Sequence, residues 1–189
     1  MHVTLPGFAD PVADAQVAFR AVLRALSRPG SIHRVAGGLT PPSPLNEAAA
    51  AVLLALVDGD ICLFSSFPSA RDWVRFHCGS NPISDPAAAG FVLADALPDL
   101  ATLEHGSDEA PENSATVILQ IPSLTHGPAR TLQGPGLQAS ATIRAAGLPL
   151  DFAVRWAANH ALFPRGIDLI LCAGDQLLAL PRSVTVKEG

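Results

Sequence analysis

This sequence predicts an α/β layered fold, a mixed sheet with helices on both faces. Three observations point there. Short apolar runs of strand length alternate along the chain with segments of helical period. The closing segment sets two apolar runs, 167–172 and 177–180, on either side of Gly174-Asp175, the pattern of a buried β-hairpin. Capping residues stand where the first helical segments begin, Asp10 before Pro11 and Asn46 before Glu47. The 189 residues suffice for a real core and show no internal repeat, low-complexity tract or clean linker, so one domain over 1–189 is expected.

The first helix is expected from Pro11 to about Leu26, with Ala15, Phe19, Val22, Leu23 and Leu26 on one apolar face, and Pro29-Gly30 stops it. Residues 31–44, with Gly37-Gly38 and Pro41, Pro42 and Pro44, read as loop. A second helix over 47–57 is apolar nearly all round, hence buried on most sides. After the Asp58-Gly59-Asp60 turn come an inner strand at 61–64, a third helix at about 69–78, a strand at 91–94 and a short helix around 97–103. The acidic stretch 105–114 reads as a loop, followed by a strand over 116–121. Residues 130–133 and 139–144 are expected to add strands around the Gly134-Pro135-Gly136 turn. Asp151 is expected to cap a helix ending near Ala161, ahead of Phe163-Pro164, because the residue before a proline avoids helical geometry. The hairpin between Pro164 and Pro181 then completes the sheet.

Composition narrows the function. Apolar residues make up 49% and charged residues 15%, which suits a surface partly covered by a partner or an alanine-rich chain without patches. A formal charge of −5 gives no basic footprint for nucleic acid. The longest apolar run, 48–57, is ten residues and cannot span a bilayer, and the N-terminus lacks a signal pattern, so cytoplasmic residence is expected. Cys62, Cys78 and Cys172 show no C-x-x-C spacing and are read as reduced and buried, too few for an iron–sulfur cluster. The six histidines, His2, His33, His77, His105, His126 and His160, show no metal-ligand spacing, so no metal is expected. No G-x-S-x-G elbow and no Ser/His/Asp set can be picked out, so no catalytic set is assigned. Gly134-Pro135-Gly136-Leu137-Gln138-Ala139 matches a dinucleotide fingerprint only formally. Its proline removes a donor from the turn, Gly147 and Pro149 break any helix after it, and no acid follows about 20 residues on.

Several charged groups remain. Arg20, Arg24 and Arg28 form a four-residue stripe that suits a phosphonate, a triphosphate, a partner's carboxylates or simply solvent. Arg71 and Arg75 repeat that spacing, and Asp72 is placed to pair with Arg75. Asp168 opens a buried strand, where an unpaired carboxylate is costly, so it is expected to pair with an arginine, Arg165 or Arg182, or with backbone N–H groups. That pairing is read first as a structural salt bridge, and second as part of an interface or ligand site.

One resemblance covers nearly the whole chain. It is carried by Asp14-Ala15-Gln16, Phe19-Arg20, Ser27-Arg28-Pro29-Gly30, Arg75-Phe76-His77, Pro111-Glu112, Ala115-Thr116-Val117-Ile118-Leu119-Gln120 and Leu132-Gln133-Gly134-Pro135-Gly136, and by the closing run from Phe163-Pro164-Arg165-Gly166-Ile167-Asp168 to Pro181-Arg182-Ser183. In order, spacing and length these resemble the family of H subunits of the carbon–phosphorus lyase core complex, which strips phosphorus from organophosphonates. The resemblance implies a sheet architecture related to the pyridoxal-phosphate-dependent transferases. Lys187, the sole lysine, lies in the tail, so the Schiff base of that chemistry is not expected and no cofactor is assigned. The resemblance also implies a homodimer-capable subunit that joins G, I and J partners. Together they support transfer of phosphonate onto the ribose of a purine nucleoside triphosphate. Its motifs single out Arg20, Arg75, His77, Glu112, Arg165, Asp168 and Arg182 as ligand or interface candidates. The rival reading is an independent enzyme with an arginine-lined site for nucleotide or phosphonate.

Overall fold

The computed structural model of the chain describes residues 5–35 and 37–189; His2, among the histidines weighed above, lies outside them. Among these residues ten strands run in chain order: β1 (His33–Arg34), β2 (Cys62–Ser65), β3 (Asn81–Ile83), β4 (Phe91–Ala94), β5 (Thr116–Gln120), β6 (Ala129–Gln133), β7 (Ala141–Arg144), β8 (Asp168–Ala173), β9 (Gln176–Leu180) and β10 (Thr185–Glu188). Four α-helices among the described residues join them: α1 (Pro11–Ser27), α2 (Glu47–Leu56), α3 (Pro68–Cys78) and α4 (Phe152–His160).

Seven strands form the central sheet in the order β1-β9-β8-β5-β4-β2-β3. It is mixed: β3, β2, β4, β5 and β8 are parallel, while β9 is antiparallel to both β8 and β1. The inner strands are buried on both faces, which is why they read as unbroken apolar runs. Their side chains still alternate. Leu93, Ile118, Ile170, Cys172 and Leu177 pack on one side with α1, α2 and α3. Val92, Val117, Leu119, Leu169, Leu171 and Leu178 pack on the other with Phe152 and Trp156 of α4. The expected hairpin is β8–β9, yet it lies inside the sheet rather than at its edge, because β1 adds beyond β9.

The second face differs from expectation. The strands at 129–133 and 141–144 do not join the central sheet. They form a separate sheet, β10-β6-β7, whose third strand is the C-terminal tail. The tail looked polar, but Val184 and Val186 point inward at period two. The molecule thus has three layers: α1–α3, the seven-stranded sheet, and α4 with the small sheet.

Other local expectations shift for identifiable reasons. Asp10 caps α1 through the N–H groups of Val12 and Ala13. The buried face of α1 is Ala18, Ala21, Val22 and Ala25, and the expected Phe19 and Leu23 stand exposed. Small alanines let α1 approach α2 closely, since interhelix distance follows the side chains at the contact. The helix expected around 97–103 is a single 3-10 turn, Leu100–Thr102. Pro98 keeps Leu97 out of helical geometry and Asp99 starts the turn late. The segment read as loop contains β1, and β3 was missed because Asn81-Pro82-Ile83 is a proline-bearing edge strand. Asp151 makes no side-chain cap to α4; its carboxylate pairs with Arg155 at 2.9 Å.

Candidate functional site

The closing signature builds a tight polar joint. Asp168 Oδ2 lies 2.6 Å from an Arg182 guanidinium nitrogen, and Oδ1 accepts both Arg182 N–H at 2.7 Å and Nε at 3.2 Å. Arg182 also donates to the Pro111 carbonyl at 2.7 Å. The Pro111-Glu112 motif therefore contributes a backbone oxygen to this joint, while the Glu112 carboxylate stays exposed and meets no arginine among the described residues. Arg165 turns elsewhere, its Nε 3.1 Å from Asp108 Oδ1 without hydrogen-bond alignment. Gly166 between them has φ +115°, and a Cβ there would meet Asn159 at 3.0 Å. Asn159, buried, clamps Ile167 from both sides: its amide donates to the carbonyl at 2.9 Å and its oxygen accepts the N–H at 2.7 Å.

The Arg75-Phe76-His77 motif separates. Arg75 is exposed and makes no ion pair with Asp72. His77 Nε2 donates to the Leu5 carbonyl at 3.0 Å, which Trp73 also reaches at 2.9 Å, and its ring packs edge-on against Trp73 and Phe76. His77 fastens the N-terminal segment to α3.

Arg20 lies in different company. With Arg24 of α1 and His33-Arg34 of β1 it lines an open depression of ≈ 230 Å³. Arg34 is held by Asp175 at 3.0 Å. Among the described residues Arg20 reaches only Gln16, at 3.4 Å. Partial burial, then the Arg24 and Arg28 charges, hold His33 below its ordinary value, and Ser31 Oγ stands 2.8 Å from its Nε2. Sequence reasoning missed His33 and Arg34, because the loop reading of 31–44 hid the short strand that brings them beside the α1 arginines. No local pattern in the sequence signalled them.

Two further polar knots were not anticipated. Gln120, closing β5, accepts Asn46 N–H and donates to Pro44, while Asn46 donates to Cys172 O and caps α2 through Ala49 N–H. Arg130 is wholly buried against Phe152, bonded to Glu188 and the Pro149 carbonyl at 3.2 Å each. Cys172 is buried, whereas Cys62 and Cys78 are only half-buried; burial and Asp58 push the Cys78 thiol up to about 11, and burial alone raises Cys172. Among the described residues no three His, Cys, Asp or Glu side chains gather as a metal site. No helix among them is long and apolar enough to cross a membrane.

Comparison with known proteins gives concordant matches. The sequence pattern of the bacterial phosphonate metabolism protein PhnH matches residues 6–187. The chain is 38% identical over 187 residues to the alpha-D-ribose 1-methylphosphonate 5-triphosphate synthase subunit PhnH of Rhizobium meliloti (strain 1021), covering 95% of this chain and 94% of that one. It is 34% identical over 175 residues to HtxG of Stutzerimonas stutzeri, which carries the name of a C–P lyase subunit protein, covering 91% and 85% respectively.

Proposed function

The chain belongs to the PhnH family of bacterial phosphonate metabolism proteins, and on that premise we propose that it is a supporting subunit of a carbon–phosphorus lyase core complex. In this reading it joins G, I and J subunits in the cytoplasm and is itself able to dimerise. It helps the assembly transfer a phosphonate onto the ribose of a nucleoside triphosphate, with the base displaced. The observation that carries the supporting role is where the motif side chains spend their polar groups. Asp168 and Arg182 bond each other, and His77 bonds a backbone carbonyl, so these three signature residues spend their polar groups inside the fold. The architecture is read as a relative of the pyridoxal-phosphate-dependent transferases without their cofactor chemistry. Lys187, exposed on β10, offers no pocketed amine in support of a Schiff base.

Native mass spectrometry of the tagged chain, alone and with G, I and J, tests this. A mixed assembly of fixed stoichiometry is expected. A chain that stays apart from all three overturns the reading.

A second reading rests on one observation, the depression lined by Arg20, Arg24, His33 and Arg34. It makes the chain an independent phosphonate- or nucleotide-binding enzyme. Calorimetry with methylphosphonate or ATP separates the two: the supporting subunit alone binds neither, whereas the independent enzyme loses its binding in Arg20→Ala.

A further inference from the structure

We propose that the cleft between α4 and the 3-10 turn Leu100–Thr102 is a binding site for an uncharged, amino-bearing nitrogen heterocycle, the class that includes the nucleobases. The cleft measures ≈ 520 Å³, above the roughly 300 Å³ at which ligand pockets begin. Its walls are apolar. Val154, Ala158 and Leu162, each about one turn after the last, come from α4 and its exit, and Leu100 and Ala101 come from the 3-10 turn. Small side chains at Ala101 and Ala158 leave the space between the two elements. Val154 keeps 74% of its surface open beside that space, so no group of the fold fills it. Apolar walls contributed by two separate elements suit the faces of a flat ring.

Polar groups of the cleft select the edge of that ring. His105 Nε2 stands 2.8 Å from the Leu100 carbonyl. A carbonyl only accepts, so neutral His105 carries its proton on Nε2 and keeps a lone pair on Nδ1. The His105 carbonyl accepts Gly166 N–H at 3.0 Å, which holds the residue in place. Nδ1 has no partner among the described residues and takes a donor from the ligand. Arg155 offers the opposite polarity. Its Nε bonds Asp151 at 2.9 Å, while its terminal amines have no partner among the described residues and are available to a ring nitrogen. Asn159 adds nothing, since its amide is spent on Ile167. A donor and an acceptor on one apolar ring describe an amino-substituted nitrogen heterocycle. Charge excludes the alternatives. A cation would lie beside the free amines of Arg155. An anion would meet Asp99 at the rim and Asp151 beside Arg155, two carboxylates against one guanidinium, on a chain of net charge −5. The free base therefore fits, and the intact nucleotide with its triphosphate does not. The assembly reading above displaces a base of this class, so the inference rests on that reading for the origin of the ring but not for the site.

Nuclear magnetic resonance on the full chain alone tests the site with adenine, purine and ATP. Adenine is expected to give saturable shifts at Leu100, Ala101, Val154 and Ala158, together with a shift of His105 Nδ1. Purine lacks only the amino group and leaves Nδ1 without a donor, so it is expected to bind about fivefold or more weakly. ATP at the same concentration is expected to leave the cleft signals where they are. Ala158→Leu alters an exposed helical position, is expected to melt like the parent, and abolishes the adenine shifts by filling the cleft. The comparison of adenine with purine needs no variant and keeps the test valid if that variant misfolds. No saturable shift up to the solubility limit of adenine, or shifts confined to residues outside the cleft, overturns the site. Equal binding of purine overturns the amino requirement, and equal binding of ATP overturns the uncharged class. The assembly reading fails separately. A chain that binds adenine but joins none of the G, I and J subunits keeps the site and loses that reading, whereas an assembling chain that ignores adenine loses the site alone.

Discussion

Asp168 and Arg182 show what a single pair does in this chain. Both side chains are mostly buried, so each charge depends on the other for what water would otherwise supply. Asp168→Asn keeps the shape and removes the charge. It is expected to cost about 2–4 kcal/mol, because it strands a mostly buried guanidinium. Urea denaturation followed by tryptophan fluorescence measures it, and a loss well under 1 kcal/mol refutes the account. The sequence already required a partner for Asp168, since a carboxylate at the start of an apolar strand is expensive. It could not choose between Arg165 and Arg182, because the choice depends on where β9 ends relative to β8. His33 offers a second residue-scale test. Its folded value is held below the ordinary 6.5, by burial first and then by Arg24 and Arg28. The unfolded chain therefore binds the extra proton between those two values. Stability falls as pH drops from 6.5 to the native value and levels off below it. A nuclear magnetic resonance titration is expected to place His33 below 6.5, and Arg24→Gln to move it upward.

At the scale of elements, α4 and the β8–β9 hairpin are joined by Asn159. Its two hydrogen bonds to Ile167 replace ladder partners that the strand lacks just before β8 begins. Asn159→Ala leaves a buried N–H and a buried carbonyl unpaired, and is expected to cost about 2–4 kcal/mol, read from the denaturation midpoint at constant slope. A midpoint that does not move would mean that water replaces the amide. Helix α1 shows the limit of periodicity at this scale. Its extent and cap were legible from Asp10, Pro11 and Pro29-Gly30, yet its buried face was misassigned. Large apolar residues dominate a reading by period, but the close approach to α2 selects alanines.

Across the whole molecule, two sequence motifs far apart in the chain meet. Ser27-Arg28-Pro29-Gly30 ends α1, and the turn at Gly134-Pro135-Gly136 leaves β6 in the second sheet. A Cβ on Gly136 would stand 2.5 Å from the Ser27 carbonyl oxygen, and its φ is +85°. Gly136→Ala is thus strained twice, sterically and in its backbone. It is expected to lower stability by at least about 2 kcal/mol and to speed exchange at the α1 C-terminus more than in β8. Uniform loss across both would mean that the turn supports the fold generally rather than the contact between these motifs. Without this contact, the layer of α1–α3 and the small sheet would be held chiefly through the central sheet between them.

The sequence by itself determined the α/β class, the buried parallel strands, the hairpin and most helix ends, because caps, prolines and apolar runs act over a few residues. It also determined family membership, through motifs spread over nearly the whole chain. Only the tertiary structure decided that residues 129–144 and the tail form their own sheet. It alone turned Phe19 and Leu23 outward, and it alone set His33 and Arg34 beside the α1 arginines. These outcomes turn on which surfaces compete for the same neighbour across long sequence separations, a competition that local patterns do not encode.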